Sequence, residues 1–172
     1  DTTNPINVYG KTKLAGEKAL QEIMPTNAII IRTSWMYSEY GNNFVKTMLK
    51  LGKERDELNV VSDQIGSPTY ATDLAEVILK IIDNNAHQNK EQYTEIYHYS
   101  NKGEISWYDF TKEAFKIAKI NCKVNPITTN QYPAPARRPK NTSMNKDKIF
   151  KLSNIKIPDW KVSLGICINL NK

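Results

Sequence analysis

The segment AIIIRTSW, residues 28–35, carries the clearest information about the fold of this 172-residue chain. It opens on an unbroken apolar run, without the alternation of a strand that has one face in water. Such a run is typical of a strand covered on both faces, as in a parallel sheet. The polar and aromatic residues that follow would lie near the carboxyl end of the strand, where parallel α/β sheets bind ligands. The segment therefore predicts a sheet type and the edge at which a site forms.

Helix and strand patterns alternate around this segment. Apolar residues at helical spacing predict helices over residues 7–23, 42–54, 67–85, 106–120, 145–152 and 160–168. Further strands are predicted over residues 57–64 and 93–100. This alternation favours an α/β fold with a parallel sheet. Ser106 is expected to cap the helix that follows it, and GSPT, residues 66–69, is expected to form the turn before the 67–85 helix.

One long segment has no periodicity. NPITTNQYPAPARRPKNTS, residues 125–143, holds four of the eight prolines of the chain. We interpret it as a loop that follows the surface of the protein.

Composition narrows the class of protein. The net charge is +6, but the lysines are scattered and often alternate with acidic residues, which favours solvated faces and anionic ligands over a nucleic-acid groove. No run approaches the ~18 apolar residues of a membrane span, and the first residues do not resemble a signal peptide, so we expect a cytoplasmic protein with no membrane or nucleic-acid partner. Cys122 and Cys167 lack the spacing of a disulfide framework or metal site, so both are expected to be buried.

Tyr9 and Lys13 are the first candidates for chemistry. Residues four apart on a helix lie one turn apart on the same face. A free tyrosine side chain has a pKa of about 10 and is a poor acid–base catalyst near neutral pH, but a nearby ammonium group stabilises the phenolate. The pair can therefore act as a proton donor, although the same spacing also occurs on ordinary helix surfaces.

A glycine-rich phosphate-binding turn is not found in the sequence. A doubly wound sheet usually carries that turn after its first strand. We therefore expect that the chain is the later part of a longer protein.

Four blocks together resemble the extended short-chain dehydrogenase/reductase family. They are YGKTK (residues 9–13) followed by AGE, RTSWMYSEYGNNFVKTML (32–49), DQIGSPTYATDLAEVI (63–78) and PAPARRPKNTSMNKDKI (133–149). The blocks are similar to members that reduce the 4-keto group of a dTDP-linked 6-deoxyhexulose with NADPH or NADH, for cell-surface polysaccharides. The resemblance implies the later part of a Rossmann-like doubly wound parallel sheet plus a small C-terminal substrate-binding α/β lobe. Because the glycine turn is not found, we expect that the chain by itself neither binds NADPH tightly nor turns over. We assign residues 1–60 to the NAD(P)-binding domain, and residues 61–172 mainly to the substrate lobe with returns to the Rossmann sheet.

The resemblance also implies residue roles at the cofactor. Tyr9 would protonate the developing alkoxide, and Lys13 would support Tyr9 and contact the nicotinamide ribose. Thr33 and Ser34 would border the cofactor. A serine or threonine that holds the substrate oxygen in the family lies upstream of the YxxxK helix and has no counterpart here. Some relatives depend on Mg²⁺, but no residue pattern in this chain points to a metal.

On the substrate side, the resemblance implies four residues. Trp35 would lie near the sugar, with capping of the sheet end as the alternative. Asn43 would face the diphosphate, with a plain helix cap as the alternative. Arg137, in preference to Arg138, would bind the diphosphate, with a structural ion pair as the alternative.

Three functions stay open from the sequence. The first is the reductase just described, working on a dTDP-sugar, with a homodimer as the expected assembly. The second is an epimerase or dehydratase of nucleotide sugars, since these enzymes also use a Tyr–Lys pair. The third is a non-catalytic subunit like the regulatory subunit of methionine adenosyltransferase, which resembles such reductases. Tyr70 and Trp107 are expected to serve only in packing.

Overall fold

The protein is described by a computed structural model that covers residues 2–83, 93–133, 136–153 and 155–170. In chain order the elements are α1 (Val8–Ile23), β1 (Ile29–Thr33), β2 (Met36–Tyr37), α2 (Phe44–Glu54), β3 (Glu57–Val61), β4 (Ile65–Gly66), β5 (Thr69–Tyr70), α3 (Ala71–Asp83), β6 (Glu95–Tyr99), β7 (Ile105–Ser106), α4 (Trp107–Ala118), β8 (Lys123–Ile127), α5 (Asp147–Ser153) and α6 (Trp160–Leu170), with a short 3₁₀-helix at Thr129–Gln131. None of the helices within these ranges is long and apolar enough to cross a membrane.

Parallel strand pairs dominate the described chain. β1 pairs with β6, β2 with β5 and β3 with β8, all in parallel, whereas β4 and β7 pair antiparallel. In the first pair Ile29 lies opposite Glu95 and Thr33 opposite Tyr99. The predicted α/β class with parallel strands is therefore confirmed.

Side-chain caps begin two of the main helices. Asn7 Oδ1 accepts a hydrogen bond from the Gly10 amide at 2.8 Å and starts α1. Ser106 Oγ accepts one from the Asp109 amide at 3.0 Å, which confirms the predicted cap of α4. Each cap satisfies an amide that has no partner inside its own helix.

Two boundaries of the sequence-based assignment are wrong. The segment 125–143 begins as strand and not as loop, because Asn125–Ile127 complete β8 and a 3₁₀-helix follows. Pro126 lies opposite Val60, and β3 is the single partner of β8 among the described residues, so the proline occupies an edge strand where it is tolerated. The helix predicted from residue 67 begins at Ala71, after the short strand β5; its predicted residues 84 and 85 lie outside the described ranges.

The core is rich in aromatic side chains. The largest cluster joins α4 and α6 to the short strands β2 and β5, and its members are Tyr37, Val45, Tyr70, Phe110, Ala114, Trp160, Leu164, Cys167 and Ile168. A second cluster lies between α3, α5 and β6, and a third between β3 and α4. Cys122 and Cys167 are buried as predicted, and burial raises the pKa of both thiols, that of Cys167 to about 11.

A buried polar network ties α3, α6 and the end of β6 together. Asn101 Nδ2 donates to Asp73 Oδ2 at 2.5 Å and to Ser163 Oγ at 3.0 Å. Ser163 Oγ donates to the same Asp73 oxygen at 2.5 Å. Asn101 Oδ1 accepts from the Tyr70 amide at 2.8 Å. The network therefore holds β5 against two helices from inside the core.

Candidate functional site

The Tyr9–Lys13 pair lies on the first turns of α1 and is open to solvent. Lys13 Nζ lies 5.6 Å from the centroid of the Tyr9 ring, as expected for residues one turn apart. Tyr9 is 71% exposed. No ion pair between Lys13 and a carboxylate is found in the part of the chain that the structure describes. Both side chains are thus free to meet a ligand.

The loop that carries Arg137 and Arg138 contacts the start of α1. Asn7 Nδ2 donates a hydrogen bond to the Arg137 carbonyl oxygen at 2.9 Å, across 130 positions of sequence. The cap of α1 is therefore also the anchor of the loop that carries Arg137 and Arg138. The helix that carries Tyr9 and Lys13 and the loop that carries the two arginines are therefore in contact through Asn7 and the Arg137 backbone.

A cleft of about 450 Å³ opens beside this loop. Its lining combines apolar and aromatic side chains with two amides, two hydroxyls and both arginines: Phe44, Met48, Asn59, Val60, Val61, Gln64, Trp107, Thr129, Tyr132, Ala136, Arg137 and Arg138. Ligand sites commonly have this composition, with mostly apolar walls and a few placed polar groups.

Arg137 and Arg138 have no acidic partner within the described ranges. Among the described residues, no carboxylate lies within ion-pair distance of Arg137 or Arg138. The alternative of a structural ion pair therefore finds no partner there. Two unpaired guanidinium groups at a cleft suit a diphosphate, because the planar fork of arginine matches phosphate oxygens.

Trp35 stacks on Trp107, with ring centroids 3.5 Å apart and planes 11° apart. Trp107 lines the cleft and also contacts Phe44, with centroids 4.3 Å apart. Trp35 adopts a positive φ of 49°, which turns the chain at the end of β1. Trp107 therefore packs against other aromatic side chains, as expected, and it also forms part of the cleft wall.

Gly66 makes this aromatic arrangement possible. A Cβ atom at this position would lie 2.3 Å from Thr142 Oγ1 and 2.7 Å from Trp35 Cε2. Both distances are shorter than any tolerable contact, so the backbone of β4 approaches Trp35 as closely as only glycine allows. In GSPT, this glycine therefore serves close packing beside the cleft.

The hydroxyls of Thr33 and Ser34 are engaged inside the protein. Thr33 Oγ1 donates to Thr69 Oγ1 at 2.9 Å, and Ser34 Oγ donates to the Ser67 carbonyl oxygen at 2.8 Å. These bonds tie the end of β1 to the segment around β5. Each hydroxyl proton is already donated within the protein, so the two oxygen atoms could only accept hydrogen bonds from a cofactor.

Asn43 caps α2. Its Oδ1 accepts from the Lys46 amide at 3.1 Å, and its Nδ2 donates to the Ser38 carbonyl oxygen at 2.7 Å. The simple cap, the alternative reading from the sequence, is thus present. A substrate contact by Asn43 stays a prediction.

Gln64 and Thr129 line the cleft and form, together with Asp63, a hydrogen-bonded group that the sequence did not indicate. Gln64 Nε2 donates to Thr129 Oγ1 at 3.1 Å, and Thr129 Oγ1 donates to Asp63 Oδ1 at 2.7 Å. The hydrogen bond from the Thr129 hydroxyl lowers the pKa of the Asp63 carboxyl group. Gln64 lies in the quoted block DQIGSPTYATDLAEVI, but its neighbour Thr129 is 65 positions away, so no local signal joins them.

Metal-binding chemistry receives no support from side-chain clustering. Within the described ranges, no group of three or more His, Cys, Asp and Glu side chains is arranged to hold a metal ion.

Three known proteins that are similar to this chain are all dTDP-4-dehydrorhamnose reductases. The chain is 44% identical to the dTDP-4-dehydrorhamnose reductase of Escherichia coli K12 over 98% of its own length and 58% of that protein. A solved dTDP-4-dehydrorhamnose reductase from Clostridium acetobutylicum matches with a TM-score of 0.89 and 44% identity, covering 99% of this chain and 57% of that one. One from Bacillus anthracis, solved in complex with NADP, matches with a TM-score of 0.84 and 39% identity, covering 100% and 58%. The chain thus spans less than two thirds of these relatives.

The family follows from a match to the whole chain. The sequence profile described as the RmlD substrate binding domain covers residues 1–172. The chain belongs to the RmlD substrate-binding domain family.

Proposed function

We propose that the full-length protein containing this chain is a dTDP-4-dehydrorhamnose reductase. It reduces the 4-keto group of dTDP-4-dehydro-L-rhamnose to the alcohol of dTDP-L-rhamnose, with NADPH or NADH as reductant. The observation that carries the proposal is the hydrogen bond from Asn7 to the Arg137 carbonyl oxygen, because it joins the Tyr9–Lys13 helix to a cleft lined by unpaired arginines. The contact supports the proposal because it makes neighbours of the segments to which we assign the proton donor and the diphosphate site.

The proton comes from Tyr9. Reduction of a ketone needs one hydride at carbon and one proton at oxygen, and the phenolic hydroxyl delivers that proton to the developing alkoxide. Lys13, whose Nζ lies 5.6 Å from the Tyr9 ring centroid, supplies a positive charge that stabilises the phenolate left behind. Solvent reaches Tyr9 and can return the proton after each cycle.

The residues near α1 fit the nicotinamide end of a cofactor. The exposed Lys13 ammonium can donate to ribose hydroxyls, and the Thr33 and Ser34 oxygens can accept, since their protons are already committed. NADPH or NADH, when bound, supplies the hydride. This chain contributes the proton and the orientation of the reacting groups.

The substrate would extend from Tyr9 into the cleft. Trp35 offers a flat, apolar aromatic face that positions the deoxysugar and excludes water from it. Arg137 and Arg138 bind the diphosphate, and the N-terminus of α2, capped by Asn43, adds its partial positive charge. The nucleoside then lies along the apolar walls of the cleft.

The proposal keeps the division at residue 60 between the cofactor domain and the substrate lobe. It also keeps a cytoplasmic location and a homodimer as predictions.

The test is a reductase assay with the full-length protein. Purified protein, dTDP-4-dehydro-L-rhamnose and NADPH are mixed, and the fall in absorbance at 340 nm is followed together with dTDP-L-rhamnose formation. An epimerase or dehydratase would convert nucleotide sugars without net NADPH consumption. A regulatory subunit would show no turnover at all, so either result would overturn the proposal.

Arg137→Ala is expected to raise the KM for the dTDP-sugar at least about 10-fold, with a smaller change in kcat. A hydrogen bond to a charged group is worth about 1.5–3 kcal/mol, and a contact to the diphosphate is present in both the ground and transition states. Steady-state kinetics of Arg137→Ala, Arg138→Ala and the double variant measure the effect. Arg55→Ala, at the exposed C-terminus of α2, is the matched control. An unchanged KM in the double variant would exclude the diphosphate role.

A further inference from the structure

Gln64 is the most buried polar side chain in the lining of the cleft. It is 7% exposed, yet it belongs to the cleft wall together with Thr129. A buried amide needs partners for its oxygen and for both hydrogens of its nitrogen, because each unmet group costs free energy. The partners of Gln64 therefore define what this wall can recognise.

The orientation of the Gln64 amide is fixed by its neighbours. Asp63 Oδ1 accepts from the Thr129 amide at 2.8 Å and from Thr129 Oγ1 at 2.7 Å. An ionised carboxylate can only accept hydrogen bonds, so the Thr129 hydroxyl group donates its proton to Asp63. The Thr129 oxygen can then only accept a hydrogen bond from Gln64. The Gln64 nitrogen must therefore face Thr129, and its oxygen faces the other way.

Gln64 Oε1 is left without a hydrogen bond to any residue that the structure describes. One hydrogen of Nε2 is also left over after the bond to Thr129. Gln64 lines the cleft, and this oxygen is not among the enclosed polar atoms without a partner, so it is accessible from the cleft. The oriented acceptor can therefore receive a hydrogen bond from a ligand donor. The remaining Nε2 hydrogen of Gln64 is a donor next to this acceptor.

The surroundings of this amide suit a flat ring. Phe44, Trp107 and Tyr132 contribute aromatic side chains to the same cleft, and Val60 adds an apolar surface. Arg137 and Arg138 at the cleft provide the anion site that a nucleoside diphosphate needs. The thymine ring carries an N3–H donor with a carbonyl oxygen on either side, which complements an acceptor next to a donor.

We propose that Gln64 is a specificity-determining residue that reads the thymine of the nucleotide sugar. Its Oε1 accepts the N3–H, and its free Nε2 hydrogen donates to a neighbouring thymine carbonyl. Asp63 and Thr129 are positioning residues that hold the amide in this orientation. The assignment rests on the proposed function, since it takes the dTDP-sugar as substrate. Cytosine has no hydrogen on N3 and presents an acceptor there, so it would meet Gln64 Oε1 with repulsion.

The experiment measures nucleotide binding by calorimetry with the full-length protein, without cofactor or turnover. The ligands are dTDP, N3-methyl-dTDP and dCDP, and the proteins are the wild type, Gln64→Met and the control Gln21→Met on α1. The wild type and the control should bind dTDP at least about 10-fold more tightly than the other two ligands, as for one good two-bond base contact. Gln64→Met should bind dTDP more weakly and lose the preference.

Two results would overturn the assignment of Gln64. One is equal binding of dTDP and N3-methyl-dTDP by the wild type, which needs no variant and so does not depend on folding of Gln64→Met. The other is an unchanged preference in Gln64→Met. If either result is obtained while the wild type still reduces dTDP-4-dehydro-L-rhamnose, this inference alone is refuted. A wild type that binds no dTDP would refute the proposed function.

Discussion

Tyr9→Phe in the full-length protein is expected to lower kcat by about 10²-fold or more. The substitution keeps the ring and removes only the hydroxyl that donates the proton to the alkoxide. Tyr9 is 71% exposed and forms no part of the three hydrophobic clusters, so the fold should not change. The loss should therefore appear in turnover and not in stability.

Three measurements separate this outcome from a general defect. NADPH binding, followed by fluorescence titration, should stay within about a factor of three of the wild type. Tyr40→Phe, another exposed tyrosine, should keep its full rate. Lys13→Met should also lose turnover, because it removes the charge 5.6 Å from the ring of Tyr9. A Tyr9→Phe variant with near-normal turnover would show that this tyrosine is not the proton donor.

Local sequence signals predicted the helices well. Asn7, Asn43 and Ser106 each precede a helical apolar pattern, and each caps the helix that follows it. A cap and its helix lie within a few residues of one another, so the sequence holds the complete signal. The strand β1 was equally clear, because four apolar residues in succession have few other uses.

Signals that depend on distant partners were missed. Pro126 indicated a loop, but pairing with β3, more than 60 positions earlier, makes its segment a strand. The stacking of Trp35 on Trp107 and the bond between Gln64 and Thr129 likewise join distant segments. Tertiary contacts of this kind override local preference, and a single sequence does not encode them in any short window.

The candidate site likewise depends on both local sequence signals and contacts between distant segments. Helical spacing indicated Tyr9 and Lys13 as a pair, and resemblance to a family gave them a role and added the two arginines. The contact between Asn7 and Arg137, which joins them, appears only in three dimensions. The cap residue of α1 thus has a second task that no helix signal would reveal.

Asn101→Ala is expected to lower the free energy of unfolding by about 3 kcal/mol. Asn101 is completely buried, and its amide bonds to Asp73, Ser163 and the Tyr70 amide. Alanine removes all of these bonds, and it leaves a carboxylate and a buried amide with fewer partners. Each unsatisfied buried group costs about 1–3 kcal/mol, and the cavity adds to this.

Urea unfolding followed by circular dichroism measures the loss, with Asn169→Ala on the exposed face of α6 as the control. The control should change stability by no more than about 0.5 kcal/mol. Because Asn101 holds the Tyr70 amide, and β5 also carries the Thr69 hydroxyl that bonds to Thr33, the variant should weaken cofactor binding as well. A loss below 1 kcal/mol would mean that water replaces the amide and that the network is not what holds β5 in place.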